Sequence, residues 1–181
     1  MHYRIIDKNI KVYLTTTLFT DELFHLTNKN RNFLSKWLPW IDSIKEPNDT
    51  NSFILSQLEN LKNMKSLHQT IFYKERIVGV LAYNSMENKT GIIGYWLAEE
   101  FNGKGIMTKC VEDLIEQGFS YYKLEKVEIR CAKENTKSQA IPKKLNMKME
   151  RTIKDAEKLN GKLYDHLVYS IDKNSFYLLK S

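Results

Sequence analysis

The stretch from Gly91 to Ala132 constrains the fold more than any other part of this chain. Residues 91–97 have the apolar, β-prone character of a strand. A turn with two glycines follows, and then Ile106, Cys110, Val111, Leu114, Ile115, Phe119 and Tyr122 recur at helical spacing, as on a helix with one face in the core. Val127, Ile129 and Cys131 next alternate with Glu128 and Arg130, the period of a strand. Upstream, residues 69–73 and 77–83 also read as strands. The connections Lys74-Glu75-Arg76 and Glu87-Asn88-Lys89 are short enough for antiparallel turns, so these two strands and 91–97 form a meander. A strand, helix, strand unit beside hairpins requires a mixed sheet. The expected class is α/β (α+β), a mostly antiparallel sheet of about seven strands with flanking helices.

The remaining segments fit around that sheet. Residues 2–6 and 10–16 read as a hairpin turning at Asp7-Lys8-Asn9. Thr20, followed by Asp21 and Glu22, reads as the cap of a helix running to about Asn30. Phe33, Leu34, Trp37 and Leu38 mark a short second helix ended by Pro39, and Asp49 is placed to cap a long one carrying Phe53, Ile54, Leu58 and Leu61. Residues 136–145 give another helix, and 147–154 with 163–171 two last strands around Asn160-Gly161. No repeat, linker or low-complexity segment divides the chain, so one domain is expected over residues 1–181.

Composition narrows the function classes. With 42% hydrophobic and 28% charged residues the chain can bury a real core. Its net charge of +6 suits acidic or phosphate-bearing partners, but the excess is shared evenly by the two halves. No basic arm appears, which argues against direct nucleic-acid binding. Two cysteines are too few for a disulfide framework or a Cys-rich zinc site, and His2, His25 and His68 have no metal spacing around them. Met1-His2-Tyr3-Arg4 lacks the apolar stretch of a signal peptide, and no run approaches the roughly 20 apolar residues that span a bilayer. A soluble, cytoplasmic protein without membrane contact or metal is the expectation.

The chemistry is concentrated in Phe101-Asn102-Gly103-Lys104-Gly105-Ile106-Met107-Thr108, between a strand and the amphipathic helix. Backbone N–H groups at a helix start have no helical acceptor and carry the positive end of the dipole, which suits an anion such as a pyrophosphate. Gly103 and Gly105 let that backbone approach a ligand, while Lys104 and Thr108 add a charge and a hydroxyl. A Walker loop fails, because the first glycine and the final hydroxyl would fall on Ala98 and Gly105. A dinucleotide fingerprint starting at Gly103 fails too, its third glycine falling on Thr108. A plain strand-to-helix turn stays open on these residues alone.

Together, Gly94-Tyr95-Trp96-Leu97 and Asn102-Gly103-Lys104-Gly105-Ile106-Met107-Thr108 resemble the acetyl-coenzyme A loop of the GNAT superfamily of N-acetyltransferases, in wording most like its Rim-type ribosomal-protein branch. The family pattern Q/R-x-x-G-x-G/A falls on residues 102–107, with Gly105 matching, Asn102 in place of Gln or Arg, and Met107 in place of the small last residue. Further matches are Arg31-Asn32, Trp37-Leu38-Pro39-Trp40, Val127-Glu128-Ile129-Arg130, Asn135 with Ser138, and Ala156-Glu157-Lys158-Leu159-Asn160-Gly161.

The resemblance implies a GNAT fold in which residues 91–97 and 126–132 are parallel strands that splay apart, the cofactor arm lying between them. Cofactor contacts would come from Trp96, Leu97, Ala98, Asn102, Gly103, Lys104, Gly105, Ile106, Met107, Thr108 and Asn135, with main-chain bonds around 96–98. An oxyanion would be met by backbone around Leu97 or Ala98. Glu157 falls on the glutamate proposed as base and Ser138 on the serine proposed to donate to the leaving sulfur. A protonated α-amine, with a reference pKa of about 8, needs such a base before it can attack. Trp37 and Trp40 would wall the acceptor groove or pack the lid. Asn135 would bond the cofactor, cap the helix at Thr136, or both.

Cys110 and Cys131 fall on core-facing positions and read as inert. His166, beside Asp165, either orients substrate or is structural. The implied activity is transfer of acetyl from acetyl-CoA, without a metal, to an amine by direct attack in a ternary complex. The acceptor implied is a protein N-terminal α-amine, such as that of an acidic ribosomal protein. A small-molecule or antibiotic amine, or a catalytically silent coenzyme A binding module, remain alternatives, and the oligomeric state is open, a homo-oligomer included.

Overall fold

A computed structural model describes residues 3–180, so the His2 end of the first expected strand lies outside the described residues. Among the described residues eight strands form one sheet in the order β1-β2-β3-β4-β5-β6-β8-β7. They are β1 (Tyr3–Asp7), β2 (Ile10–Leu14), β3 (Leu67–Tyr73), β4 (Arg76–Glu87), β5 (Thr90–Leu97), β6 (Lys126–Ala132), β7 (Lys148–Leu159) and β8 (Lys162–Asp172). All neighbours are antiparallel except β5 and β6, which are parallel and joined through a helix.

The helices are α1 (Thr20–Lys29), α2 (Arg31–Leu34), α3 (Pro47–Lys62), α4 (Ile106–Ser120), α5 (Thr136–Lys144) and α6 (Lys173–Leu178). On one face α4 drives Ile106, Cys110, Val111, Leu114, Ile115 and Phe119 into a core with Val78, Leu81, Tyr83, Ile93, Val127 and Ile129 of the sheet. A smaller cluster on the other face joins Leu23 of α1 and Ile54 of α3 to Ile77, with Val80 and Trp96 packed against it. This second face is the one that α1 and α3 roof over.

Local signals place most elements, but three helix ends differ from their expected caps. Thr20 does not cap α1; its hydroxyl instead reaches Asn51 Oδ1 at 3.3 Å. Asp49 lies inside α3, where Oδ2 accepts the amides of Lys45 at 2.8 Å and Glu46 at 3.0 Å, the reciprocal half of a capping box. Pro39 opens a short 3-10 turn (Pro39–Ser43) rather than simply ending a helix. The C-terminal α6, which the apolar pattern does not announce, is capped by Asp172 accepting from the Ser175 amide at 2.9 Å.

Glu128 departs from the alternation in another way, for it is 4% exposed instead of facing solvent. Burial raises its pKa, but hydrogen bonds from Arg130 and Arg151 more than offset that, and the carboxyl is held below its ordinary value. Arg130 Nη2 donates to it at 2.7 Å, and Lys126 Nζ lies 3.4 Å away. The alternating pattern marks the face correctly; the three surrounding cations are what cover it.

Candidate active site

The parallel pairing of β5 with β6 covers only Thr90↔Lys126 to Ile93↔Ile129. Beyond it each strand follows its other neighbour: Gly94–Leu97 stays paired with Ala82–Gly79 of β4, and Arg130–Ala132 with Val168–His166 of β8. A V-shaped gap opens between them. The Ala98 amide is donated to Val78 O at 2.9 Å, so it is taken. Successive strand amides point to opposite edges, which sends those of Leu97 and Tyr95 toward the gap. Of the two backbone donors expected around 97 and 98, Leu97 is therefore the one free to serve, and Tyr95, absent from the expected set, joins it.

At the mouth of the gap lies the glycine turn. Gly103 has φ +78° and Gly105, the residue before α4, has φ +74°. A Cβ built at either would meet no protein atom within 4 Å, so the backbone conformation and open space, not crowding by the protein, require glycine here. The first helical bond is Lys109 N–H to Gly105 O at 3.2 Å, leaving the amides of Ile106, Met107 and Thr108 ahead of it, and no carboxylate occupies the first turn of α4. Ile106 and Met107 point their side chains into the core and can offer only backbone. Asn102 Nδ2 donates to the carbonyls of Ala98 at 3.3 Å and Glu99 at 3.1 Å, bracing the turn. Lys104 Nζ lies 5.0 Å from the centre of the Phe101 ring. Backbone donors and one cation facing open space fit a pyrophosphate, and the edge of the gap fits an amide-bearing arm.

The gap has two chemically different sides. Tyr95 and Cys131 pack with the α4 core. Across from them stands Ser138, whose amide donates to Asn135 Oδ1 at 3.1 Å, so Asn135 caps α5. Pro142, inside α5, has no N–H and leaves the Ser138 carbonyl without its i+4 partner. The Tyr95 hydroxyl donates to that carbonyl at 2.9 Å and lies 3.3 Å from Ser138 Oγ. Burial pushes the Tyr95 phenol up, keeping it a neutral donor. It also pushes the Cys110 thiol up to about 12 and that of Cys131 up to about 11, so neither supplies a ready thiolate.

On the opposite side, under α1 and α3, lies a cavity of about 660 Å³ lined by Trp40, Trp96, Phe53, His68, Asp49 and Asn84 among others. Arg31 fixes its rim by donating to Ile41 O at 2.6 Å and to Ile44 O, bracing the turn that carries Trp40. The Trp40 and Trp96 rings are 6.4 Å apart and tilted by 52°. Burial lowers the His68 pKa to about 4, so this ring is neutral at pH 7. Trp37 goes elsewhere: it meets Tyr164 edge-on at 5.8 Å, and Tyr164 is the cross-strand partner of Glu157. Glu157 Oε2 is 3.3 Å from His166 Nε2, and His166 pairs with Ala132 at the end of β6, on the flank of the gap.

This arrangement has relatives. The sequence model of the acetyltransferase (GNAT) domain matches residues 14–148. The chain belongs to the GNAT acetyltransferase family. The ribosomal-protein-serine acetyltransferase of Escherichia coli (strain K12) is 25% identical over 167 residues, covering 91% of this chain and 93% of that protein. Among solved structures, the microcin C7 self-immunity acetyltransferase MccE in complex with acetyl-CoA and AMP is 34% identical, with TM-score 0.88 over 92% of this chain and 94% of that one. RimL, a ribosomal L7/L12 α-N-protein acetyltransferase in complex with coenzyme A, shares the fold at TM-score 0.93 and 24% identity, over 96% and 99%.

This GNAT chain is thus an N-acetyltransferase built on an eight-stranded mixed sheet, each strand matching one of the segments read in the sequence, where a sheet of about seven was expected. Its family match ends at residue 148, ahead of Glu157 and His166, so the β7–β8 hairpin contributes outside the matched segment. Bringing Ser138, Leu97 and Gly105 to one gap is what the sequence motifs imply. The Tyr95 contact to Ser138 was missed, although Pro142 four residues after Ser138 is a signal that the Ser138 carbonyl needs an outside donor.

Proposed function

We propose that this N-acetyltransferase moves the acetyl group of acetyl-CoA to a protein N-terminal α-amine by direct attack in a ternary complex, in the cytoplasm. The observation that carries this reading is the gap between β5 and β6, with unpaired amides at the start of α4 at its mouth and a cavity under α1 and α3 on its other side. In this reading Glu157, beside His166, serves the acceptor and Ser138, beside Tyr95, serves the cofactor. The thioester supplies an activated acetyl group. The amides of Ile106, Met107 and Thr108 with Lys104 hold the pyrophosphate, and the Leu97 edge takes the arm. Glu157 accepts the proton that keeps an α-ammonium from attacking, and Ser138 Oγ hydrogen-bonds the departing sulfur. A Ser hydroxyl is too weak an acid to protonate a thiolate fully, so donation is its role. The similarity to a ribosomal-protein-serine acetyltransferase favours a protein acceptor, and that to a 25% identical acetyl transferase described as modifying an N-terminal serine favours its terminal amine.

The test is thiol release from acetyl-CoA with peptides that begin in a free serine or alanine, against the same peptides with a blocked N-terminus. Only the free amines should turn over. Glu157→Gln should lower kcat by about 100-fold or more with acetyl-CoA affinity unchanged; wild-type turnover in that variant would remove Glu157 as base.

A second acceptor class is favoured by the Trp40 and Trp96 rings at the cavity: an amine attached to a planar heteroaromatic ring, in keeping with the AMP held by the MccE relative. AMP should then quench tryptophan fluorescence in this chain, and Trp40→Ala should abolish the quenching. No response to AMP would leave the peptide acceptor alone.

A further inference from the structure

The β7–β8 hairpin contains an irregularity that places Glu157. Ile153 pairs with His166 and Glu157 pairs with Tyr164, so four steps along β7 are matched by only two along β8. In a regular ladder Glu157 would lie opposite Lys162, about 7 Å farther along the strand at roughly 3.4 Å per residue. The bulge instead draws it back to the position beside Tyr164, diagonal to His166. Asp155 takes the extra length with φ +48°. Asp165 fastens the loop, Oδ1 accepting the Asp155 amide at 3.2 Å and Oδ2 the Lys154 ammonium at 2.6 Å. Bulges that re-aim a side chain are frequent beside active sites.

His166 is the group that the re-aimed carboxylate meets. Its Nε2 is buried and has no hydrogen bond of good geometry among the described residues, yet it lies 3.3 Å from Glu157 Oε2. Such a nitrogen leaves hydrogen-bonding capacity unused. The pair is partly open, with the two side chains 18% and 26% exposed, so an acceptor can reach it. Of the charged groups nearby, Arg130, on the same sheet face, is committed to Glu128, and Asp165 to Lys154. Nothing else in the mechanism above uses His166.

We propose that His166 is the positioning partner of Glu157, its Nε2–H orienting the carboxylate toward the acceptor. This deepens the reading above and rests on Glu157 as the base. One proton moves from the acceptor ammonium to the Glu157 carboxylate. The freed nitrogen lone pair forms the C–N bond as the C–S bond breaks, the sulfur leaves with the bonding electrons, and the second N–H proton goes to sulfur. Fixing the carboxylate in this way keeps its second oxygen turned toward the acceptor.

The experiment uses the full chain with acetyl-CoA and a synthetic peptide beginning in free serine. His166→Phe should lower kcat about 30-fold while the KM for acetyl-CoA stays within twofold. His166→Gln, which can place an amide N–H near the position of Nε2, should recover part of that loss. The double variant Glu157→Gln/His166→Phe should be no slower than Glu157→Gln alone. Independently of any acceptor, long-range nitrogen–proton NMR of histidine-labelled protein should show His166 protonated at Nε2, with the tautomer signal changed in Glu157→Gln. Wild-type kcat in His166→Phe, multiplicative losses in the double variant, or an unchanged His166 spectrum in Glu157→Gln would each overturn the pairing. Full turnover in Glu157→Gln would instead remove the base assignment, and failure of the wild type on the peptide would remove the N-terminal acceptor, the NMR result still deciding whether the pair exists.

Discussion

The two flanks of the gap are built by different means. On the cofactor flank, Gly103, Gly105 and the first amides of α4 form a surface of backbone donors, with Ile106 and Met107 anchored in the core. On the flank proposed for the acceptor, β7 is exposed along most of its length, and the proposed chemistry rests on individual side chains placed by a bulge. A backbone cradle should tolerate side-chain replacement, such as Asn102 and Met107 at two positions of the family pattern, but not a change in backbone conformation. A side-chain site has the opposite sensitivities. The family match covers the cradle and ends at residue 148, where the hairpin begins.

Gly105→Val attacks the cradle where it should be weakest. A β-branched residue is strained at φ +74°, and its side chain would project into the open space left for the ligand. Acetyl-CoA affinity, followed by calorimetry, should fall by about 100-fold or more, equivalent to ~3 kcal/mol; unchanged affinity would show that the amides ahead of α4 do not hold the cofactor. Asp165→Ala probes the other flank by releasing the bulge. It should lower kcat by roughly 10-fold, about 1.4 kcal/mol, with cofactor affinity intact. Equal loss of both in steady-state assays would mean that the flanks are not separable.

Tyr95→Phe tests the link between them. Losing the donor to the Ser138 carbonyl should cost about 1 kcal/mol in urea denaturation. In a Pro142→Ala background, where residue 142 regains an N–H that can reach that carbonyl, the penalty should shrink. An equal penalty in both backgrounds would assign the effect to packing.

The smallest effect concerns His68. Its pKa is lowered from 6.5 to about 4, so between those values the unfolded chain binds the proton that the folded one refuses. Stability should be fully present above pH 6.5 and decline as pH falls toward 4. The shift corresponds to about 3 kcal/mol at most, and access of water through the cavity reduces this to roughly 1 kcal/mol. His68→Gln should flatten the slope of melting temperature against pH in that window; an unaltered slope would move its origin to other groups.

Local rules made much of this legible. The helical spacing from Ile106 to Phe119 and the alternation from Val127 to Cys131 depend on contacts with one sheet face, so their period survives in the sequence. Thr20 was misjudged because several hydroxyls precede α1 and propensity cannot say which one has a better partner elsewhere; Asn51 lies on another helix. Asp49 was displaced by three positions because a carboxylate at the cap and one in a capping box look alike in sequence.

By itself the sequence determined the strand, turn, helix, strand unit and the need for glycine at 103 and 105, because φ, ψ and apolar period are set within a few residues. Only the tertiary structure decided that β5 and β6 part after Ile93 and Ile129, that Tyr95 answers the carbonyl freed by Pro142, and that Glu157 meets His166. Each of these depends on the register between strands or helices distant in sequence. A two-residue slip in one strand changes which side chains meet while leaving the alternating pattern of both strands intact.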